Sequence, residues 1–368
     1  MVVMTIKVTE DCNSNCRYCY SGKSRAGMSQ EVLEALYTRI NEYLFDNPEE
    51  TVEILWHGGE PLLAGPSFFR EALALERKHC VRTGSRIRYS IQSNLTLLTE
   101  EIVDLLGEMD IRSVGTSFDP QPGIRGPGKE IDSDQYNRSF FRGLGLLERS
   151  GLTFGINYVV TQKSLAHPLD VFYFLTNLSP AGTVFLNPVL ILGGKGQDLA
   201  VSPSEHLQFL GTIFPHWWKN RGRYPGVQPF AALTERILGK KTEPGCMDFG
   251  TCNSSSRHIE LTPEGEALQS GYAGELEMPR YGNIREMAIA KILQNERKEE
   301  FVRTVQELRN SSCADCRFWD LCHESLPQPT LPRDATLMFR TQWCETRIRF
   351  IEDVFEPVTG VRFEPKGH

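Results

Sequence analysis

The sequence has no apolar run approaching the roughly 20 residues that a membrane-spanning helix needs. Its first residues lack the basic, apolar and small-residue regions of a secretory signal. Basic residues are not in excess either: 40 Lys and Arg against 47 Asp and Glu leave a net charge of −7, without the electrostatic footprint of a nucleic-acid binder. No fixed-period repeat and no low-complexity tract is present. These absences predict a cytoplasmic protein with neither a membrane nor a nucleic-acid partner. What remains is ordinary globular composition, 40% hydrophobic and 24% charged, in 368 residues, which suffices for one large domain and a smaller one.

Against that background, ten cysteines stand out. In a chain with no export signal they point to metal ligation rather than disulfides. Cys12, Cys16 and Cys19 lie on one short stretch, C-x-x-x-C-x-x-C, directly after the strand-like Ile6–Val8. Three cysteines within eight residues cannot all pair among themselves. A zinc site usually adds a second C-x-x-C knuckle, and none follows within the next sixty residues. Three thiolates on one loop suit a 4Fe–4S cluster in which the fourth iron keeps an open position. An open iron can hold a small molecule and pass an electron into it.

Short β-rich runs alternate with helical patterns over the first 190 residues. The strand-like runs are Thr5–Thr9, Glu53–His57, Arg88–Ser93, Ser113–Phe118, Thr153–Thr161 and Thr183–Val189, with helical patterns near 29–46, 66–82, 99–108, 135–150 and 167–178. This alternation predicts an α/β fold with a parallel sheet, and nearly continuous apolar strands such as Ile156–Val160 predict burial on both faces. Residues 203–238 read as two helices, with Ser202 as a cap. His258–Leu261 and Glu266–Gln269 read as a hairpin about Pro263–Gly265, followed by helical patterns near 284–292 and 295–308 and a final helix over 342–356. The motifs fall in the loops after the strands, where parallel α/β proteins build their sites.

Cys12-x-x-x-Cys16-x-Tyr18-Cys19 resembles the defining loop of the radical S-adenosylmethionine (SAM) enzymes. Trp56-His57-Gly58-Gly59-Glu60-Pro61, Gln92-Ser93-Asn94 and Val114–Asp119 are similar to further signatures of that family, in the same order. The C-terminal third resembles the cysteine-rich SPASM extension of anaerobic sulfatase-maturating and peptide-modifying members. The resemblance implies a partial (β/α)6 TIM-like barrel over 1–240 and a loop-rich iron–sulfur extension over 241–368. It implies a 5′-deoxyadenosyl radical, made from SAM at the first cluster with an electron from an external donor such as flavodoxin or ferredoxin. Gly58, Gly59, Glu60 and Pro61 would present backbone groups and the Glu60 carboxylate to the SAM ammonium. Asn94 would lie near the methionyl group, and Ser117 and Asp119 near the ribose. Arg125 either faces the SAM carboxylate or is a solvated loop residue. His57 binds substrate, relays a proton, or is a hydrogen-bonded structural residue.

Cys313, Cys316, Cys322 and Cys344 form a four-thiolate set, for which zinc is the plain alternative; resemblance favours one auxiliary 4Fe–4S cluster. The family's second auxiliary cluster is expected to be lost, or to survive only with unusual ligands such as Ser270, His323 or Glu324. Cys246 and Cys252 match two of its ligands, but Ser270 and the run after Cys322, His323-Glu324, supply no cysteine. Gly271 stands where sulfatase maturases carry a catalytic acid, and a glycine cannot remove a proton. Asp248, Glu260 and Tyr272 are nearby polar residues, and Cys80 reads as a core thiol. The expected reaction is oxidative cross-linking or dehydrogenation of a ribosomally made peptide. The alternative is dehydrogenation or epimerisation of a sugar, aminocyclitol or other small metabolite. Because the chain begins at its first strand, a peptide leader is expected to dock elsewhere or through a separate protein.

Overall fold

The computed structural model describes residues 1–21, 24–191, 195–239, 256–269, 280–313, 315–318, 321 and 342–364, without the side chains of 305, 306, 308–313, 342 and 343. They pack as two compact units, Met1–Phe154 with Ser254–Glu300, and Gly155–Asn253 with Phe301–His368. The division expected at residue 240 differs from this partition, because the hairpin beyond it joins the sheet of the first unit. No helix among the described residues is long and apolar enough to cross a membrane.

The first unit holds strands β1 (Val2–Thr9), β2 (Val52–Gly58), β3 (Ile87–Ser93), β4 (Ser113–Ser117), β8 (His258–Leu261), β9 (Glu266–Leu268) and β10 (Arg280–Asn283). Their order is β10-β9-β8-β1-β2-β3-β4. Pairing is parallel from β8 through β4, with Ile6 beside Trp56 and Thr5 beside Glu260. Helices α1 (Gln30–Asp46), α2 (Gly65–His79), α3 (Glu100–Glu108) and α4 (Ser133–Ser150) occupy the β-to-β connections. α1 starts where Ser29 accepts from the Val32 N–H, and it buries Val32, Leu33, Leu36, Tyr37, Ile40 and Leu44, a spacing that keeps one helix face apolar.

The sheet's two faces differ in chemistry. Met4, Ile6, Ile54, Trp56 and Ile91 are fully buried, and Trp56 meets the edges of Phe68 and Phe69 on α2. The alternate residues carry Thr5, Lys7, His57, Ser90, Gln92, Ser117, His258 and Glu260 on the other face. The second face is polar yet largely covered, with Thr5 and Glu260 buried and Lys7 and His57 half-buried, and the run Ile156–Val160 alternates buried and half-buried residues. Cys80 is a buried core thiol, 3.5 Å from the Tyr37 carbonyl.

In the second unit, β5 (Thr153–Val160) pairs in parallel with β6 (Val184–Pro188), and β6 with β7 (Val227–Gln228). α5 (Pro168–Leu178), α6 (Pro203–Asn220) and α7 (Phe230–Ile237) accompany them. Ser202 and Glu205 form a reciprocal cap on α6. The first unit adds α8 (Ile289–Leu293) and α9 starts at Glu296. The expected final helix is interrupted: α-helix Gln342–Arg349 passes into a π-helical turn, Phe350–Phe355, before Glu356–Thr359. Pro357 lacks the N–H that a continuous α-helix would use, and the wider turn lets Phe350 and Phe355 both reach Phe214. The expected α/β class with a parallel sheet is observed.

Candidate active site

The cysteine loop is pinned to three neighbouring loops at the C-terminal end of the parallel strands. The Gly59 and Glu60 N–H groups donate to the Thr9 and Asp11 carbonyls at 2.8 and 2.9 Å. The loop after β3 is joined side chain to side chain: Asn94 Nδ2 donates to Asn13 Oδ1 (2.9 Å) and Asn13 Nδ2 to Thr96 Oγ1 (2.7 Å). Beyond β4, the Asn15 and Arg17 N–H groups donate to the Gly126 and Ile124 carbonyls.

Both glycines of the Gly58-Gly59 pair are needed for this approach. A Cβ on Gly59 would stand 2.1 Å from the Asp11 carbonyl oxygen, and one on Gly58, at φ +137°, 2.1 Å from that of Thr9. The close contact they permit is therefore to the chain's own cysteine loop.

Glu60 is turned inward, not toward an open site. Its carboxylate is 1% exposed and accepts from the Leu62 N–H (3.0 Å), the Ser93 hydroxyl (2.8 Å) and the Asn94 N–H (2.7 Å). Burial raises its pKa to about 7, and those three donors oppose the rise. This differs from the presented carboxylate expected from the sequence. Pro61 is buried and opens the short 3-10 turn Pro61–Ala64, which Glu60 caps.

Arg125 also differs from a solvated loop arginine, for it is 8% exposed. Its Nε donates to the Asp119 carboxylate, its Nη2 to the Tyr18 hydroxyl, and its Nη1 lies 3.8 Å from Cys16 Sγ. Tyr18 in turn donates to Asp119 Oδ2 at 2.5 Å. Asp119, at 2% exposure, thus faces Tyr18 and Arg125. Ser117 accepts from Gln92 Nε2 through its hydroxyl and from Tyr136 through its carbonyl. Gly115 leaves room for that Gln92 side chain, which a Cβ would meet at 2.2 Å.

His57 lies on the polar face beside Lys7. The Gly58 N–H donates to its Nδ1 at 2.7 Å, so the ring proton sits on Nε2. Burial, then the Lys7 charge, lower its pKa to about 4, which keeps the ring neutral. Lys7 pairs with buried Glu260 at 2.8 Å. Lys7 shares the strand parity of Thr5, which marks the polar face and is the sequence signal that finds it.

Cys316 and Cys344 are half-buried, and Arg317 reaches Glu352 and Glu356 in the segment that follows Cys344. The side chain of Cys313, and Cys322, Cys246, Cys252, Asp248, Ser270, Gly271, Tyr272, His323 and Glu324, lie outside the described residues.

Among the described residues no three His, Cys, Asp or Glu side chains converge closely enough for a metal ion. The fit to a cluster therefore rests on the donor set, since a 4Fe–4S cluster takes each thiolate at its own iron. Cys12, Cys16 and Cys19 supply three sulfurs, and donors already face two of them: the Ser14 N–H at Cys12 (3.4 Å) and Arg125 at Cys16. Such outer donors suit thiolate ligands.

Residues 6–119 match the model of the Radical SAM superfamily. The chain is 24% identical over 365 residues, 95% of each protein, to the cysteine-type anaerobic sulfatase-maturating enzyme of Clostridium perfringens strain 13. It is 27% identical over 380 residues to the serine-type enzyme of Bacteroides thetaiotaomicron, covering 91% of this chain and 84% of that one. A solved structure of native anSMEcpe with bound AdoMet and Kp18Cys peptide superposes with a TM-score of 0.81 at 25% identity, over 98% of each chain. The matched segment contains the cysteine loop and the β2 and β3 loops that hold it, and the chain belongs to the radical SAM superfamily, as an enzyme that uses a 4Fe–4S cluster and SAM.

Proposed function

We propose that this enzyme oxidatively modifies a ribosomally made peptide, by side-chain cross-linking or dehydrogenation. Its similarity to sulfatase-maturating enzymes over 95% of its length supports a peptide substrate, as does the likeness to a structure with a bound peptide. The observation that carries the reading is the polar sheet face below the cysteine loop, where Lys7, His57 and Glu260 stand on adjacent strands.

When bound, the cluster and SAM supply a 5′-deoxyadenosyl radical able to take a hydrogen atom from an unactivated C–H bond. Cys12, Cys16 and Cys19 hold the cluster. The backbone of Gly58–Pro61, kept rigid by Glu60, and the Asn94 and Ser117 side chains line the place for SAM. Losing a hydrogen atom to that radical, then one electron to the auxiliary cluster that Cys313, Cys316, Cys322 and Cys344 would hold and one proton to a base, would leave the substrate two electrons more oxidised. The proton needs an acceptor on this chain, and the Glu260 carboxylate is our assignment; burial raises its pKa and the Lys7 ammonium opposes the rise. His57, neutral with its proton on Nε2, donates a hydrogen bond to the substrate and does not act as the base. Cys313, Cys316, Cys322 and Cys344 hold one auxiliary 4Fe–4S cluster, and an external one-electron reductant such as flavodoxin or ferredoxin serves the first.

The test is incubation of anaerobically reconstituted, reduced enzyme with SAM and a peptide carrying Cys or Ser, or one encoded beside its gene. The expected result is 5′-deoxyadenosine release coupled to the loss of two hydrogens from the peptide. Oxidation or epimerisation of a sugar or aminocyclitol, with all peptides unchanged, would overturn the reading.

A further inference from the structure

We propose that Arg125 is a positioning residue that acts through Cys16: held by Asp119 and Tyr18, it directs a cationic donor at this ligand sulfur and raises the reduction potential of the cluster that Cys12, Cys16 and Cys19 hold. The inference goes beyond the peptide reading and is independent of the substrate.

The geometry is closed on every side. Arg125 lies between the Ile124 and Gly126 carbonyls, and these accept from Arg17 and Asn15, the residues flanking Cys16. Its own carbonyl accepts from the Ser133 hydroxyl at 2.8 Å. The backbone on both sides of the arginine is thereby tied to the cysteine loop or to the start of α4. The guanidinium is fixed in turn. One nitrogen faces Asp119, another Tyr18, and the third Cys16, while its carbon lies 5.5 Å from the Tyr18 ring centroid. A planar fork with donors in three directions suits this arrangement, and a lysine ammonium on a flexible stem does not reproduce it. Tyr18 gains a reason to be aromatic, since it is both a wall for the cation and a donor to the carboxylate.

Arg125 and Asp119 are almost wholly buried, so water screens their charges little. A cluster gains one negative charge on reduction. A positive charge and a hydrogen-bond donor at a ligand sulfur stabilise that charge and raise the potential. Asp119 partly cancels the effect while holding the guanidinium in place. The two residues therefore have opposite signs: Arg125→Met lowers the potential and Asp119→Asn raises it.

The experiment is an anaerobic redox titration of the reconstituted full-length protein. It follows the electron paramagnetic resonance signal that changes on SAM addition, which singles out the first cluster. SAM affinity and iron content are measured on the same samples. The proposal expects a lower midpoint for Arg125→Met, a partial return for Arg125→Lys, a higher midpoint for Asp119→Asn, and SAM affinity within about threefold of the wild type in all three. An unchanged midpoint in Arg125→Met, or shifts of one sign in the Met and Asn variants, overturns it. So does a tenfold or greater loss of SAM affinity at constant midpoint, which would make Arg125 a carboxylate clamp. If Arg125→Met fails to retain iron, Asp119→Asn decides alone: a raised midpoint supports the proposal and an unchanged or lowered one overturns it.

Discussion

The Asn94 N–H donates to the Glu60 carboxylate at 2.7 Å, so the loops after β2 and β3 share one buried acid. Two more donors, from Leu62 and Ser93, converge on the same group. Glu60→Ala would leave all three without their acceptor. At about 1–3 kcal/mol for each buried donor left unsatisfied, the loss over the three is at least about 3 kcal/mol. A fall of roughly 5 °C or more in the thermal midpoint is expected, and a fall below about 1 °C would contradict the bracing role.

The same acid and its neighbour His57 give opposed pH dependences. Burial raises Glu60 from 4.5 to about 7, so its contribution to stability is fully present below about pH 4.5 and is lost as the pH rises through 7. Burial and Lys7 lower His57 from 6.5 to about 4, so its contribution is fully present above about pH 6.5 and is lost as the pH falls through 4. His57→Gln should therefore flatten the acid side of a stability–pH profile, between 6.5 and 4, and leave the slope between 4.5 and 7 due to Glu60. Thermal unfolding across this range checks both signs.

Gly59→Ala forces a Cβ against the Asp11 carbonyl and should displace the cysteine loop. Iron content after reconstitution is expected to fall by about half, from about eight to about four per chain, the first cluster being lost. Gly107→Ala is the contrasting case. Gly107 lies inside α3 with nothing near its would-be Cβ, and the substitution should stabilise the chain by about 0.4–1 kcal/mol. Equal iron in the Gly59 variant and the wild type would contradict the packing argument.

Lys7→Met leaves Glu260, at 2% exposure, without its cation. Breaking a buried pair from one side costs about 3–5 kcal/mol. The carboxyl should also become harder to ionise, so the pH at which substrate oxidation reaches half its maximum should move up. A pH–rate profile that is unchanged in this variant would remove Glu260 from the reaction.

Much of the fold was legible because its signals are local. α1, α3, α4 and α6 announce themselves through caps and apolar spacing, and the cysteine loop through its spacing alone. What the sequence concealed depends on partners far along the chain. Met4 pairs with Ile259, and nothing near His258–Leu261 reveals that this hairpin strand extends the sheet beside β1. β10, Arg280–Asn283, is four residues with little strand character, and only β9 makes it a strand. Arg125 looks solvated within a run of Gly and Pro because its acid partner, Asp119, faces it only once the loop closes. Lys7, His57 and Glu260 lie far apart in the sequence, and only strand register sets them on adjacent strands.

The most direct measurement is the fate of SAM mixed with the reduced, anaerobically reconstituted protein. The account predicts that the wild type releases 5′-deoxyadenosine and methionine, and that Cys16→Ala releases neither while retaining about four irons in the C-terminal site. Zinc in place of iron at Cys12, Cys16 and Cys19, or intact SAM after incubation of the iron-loaded wild type, would contradict it.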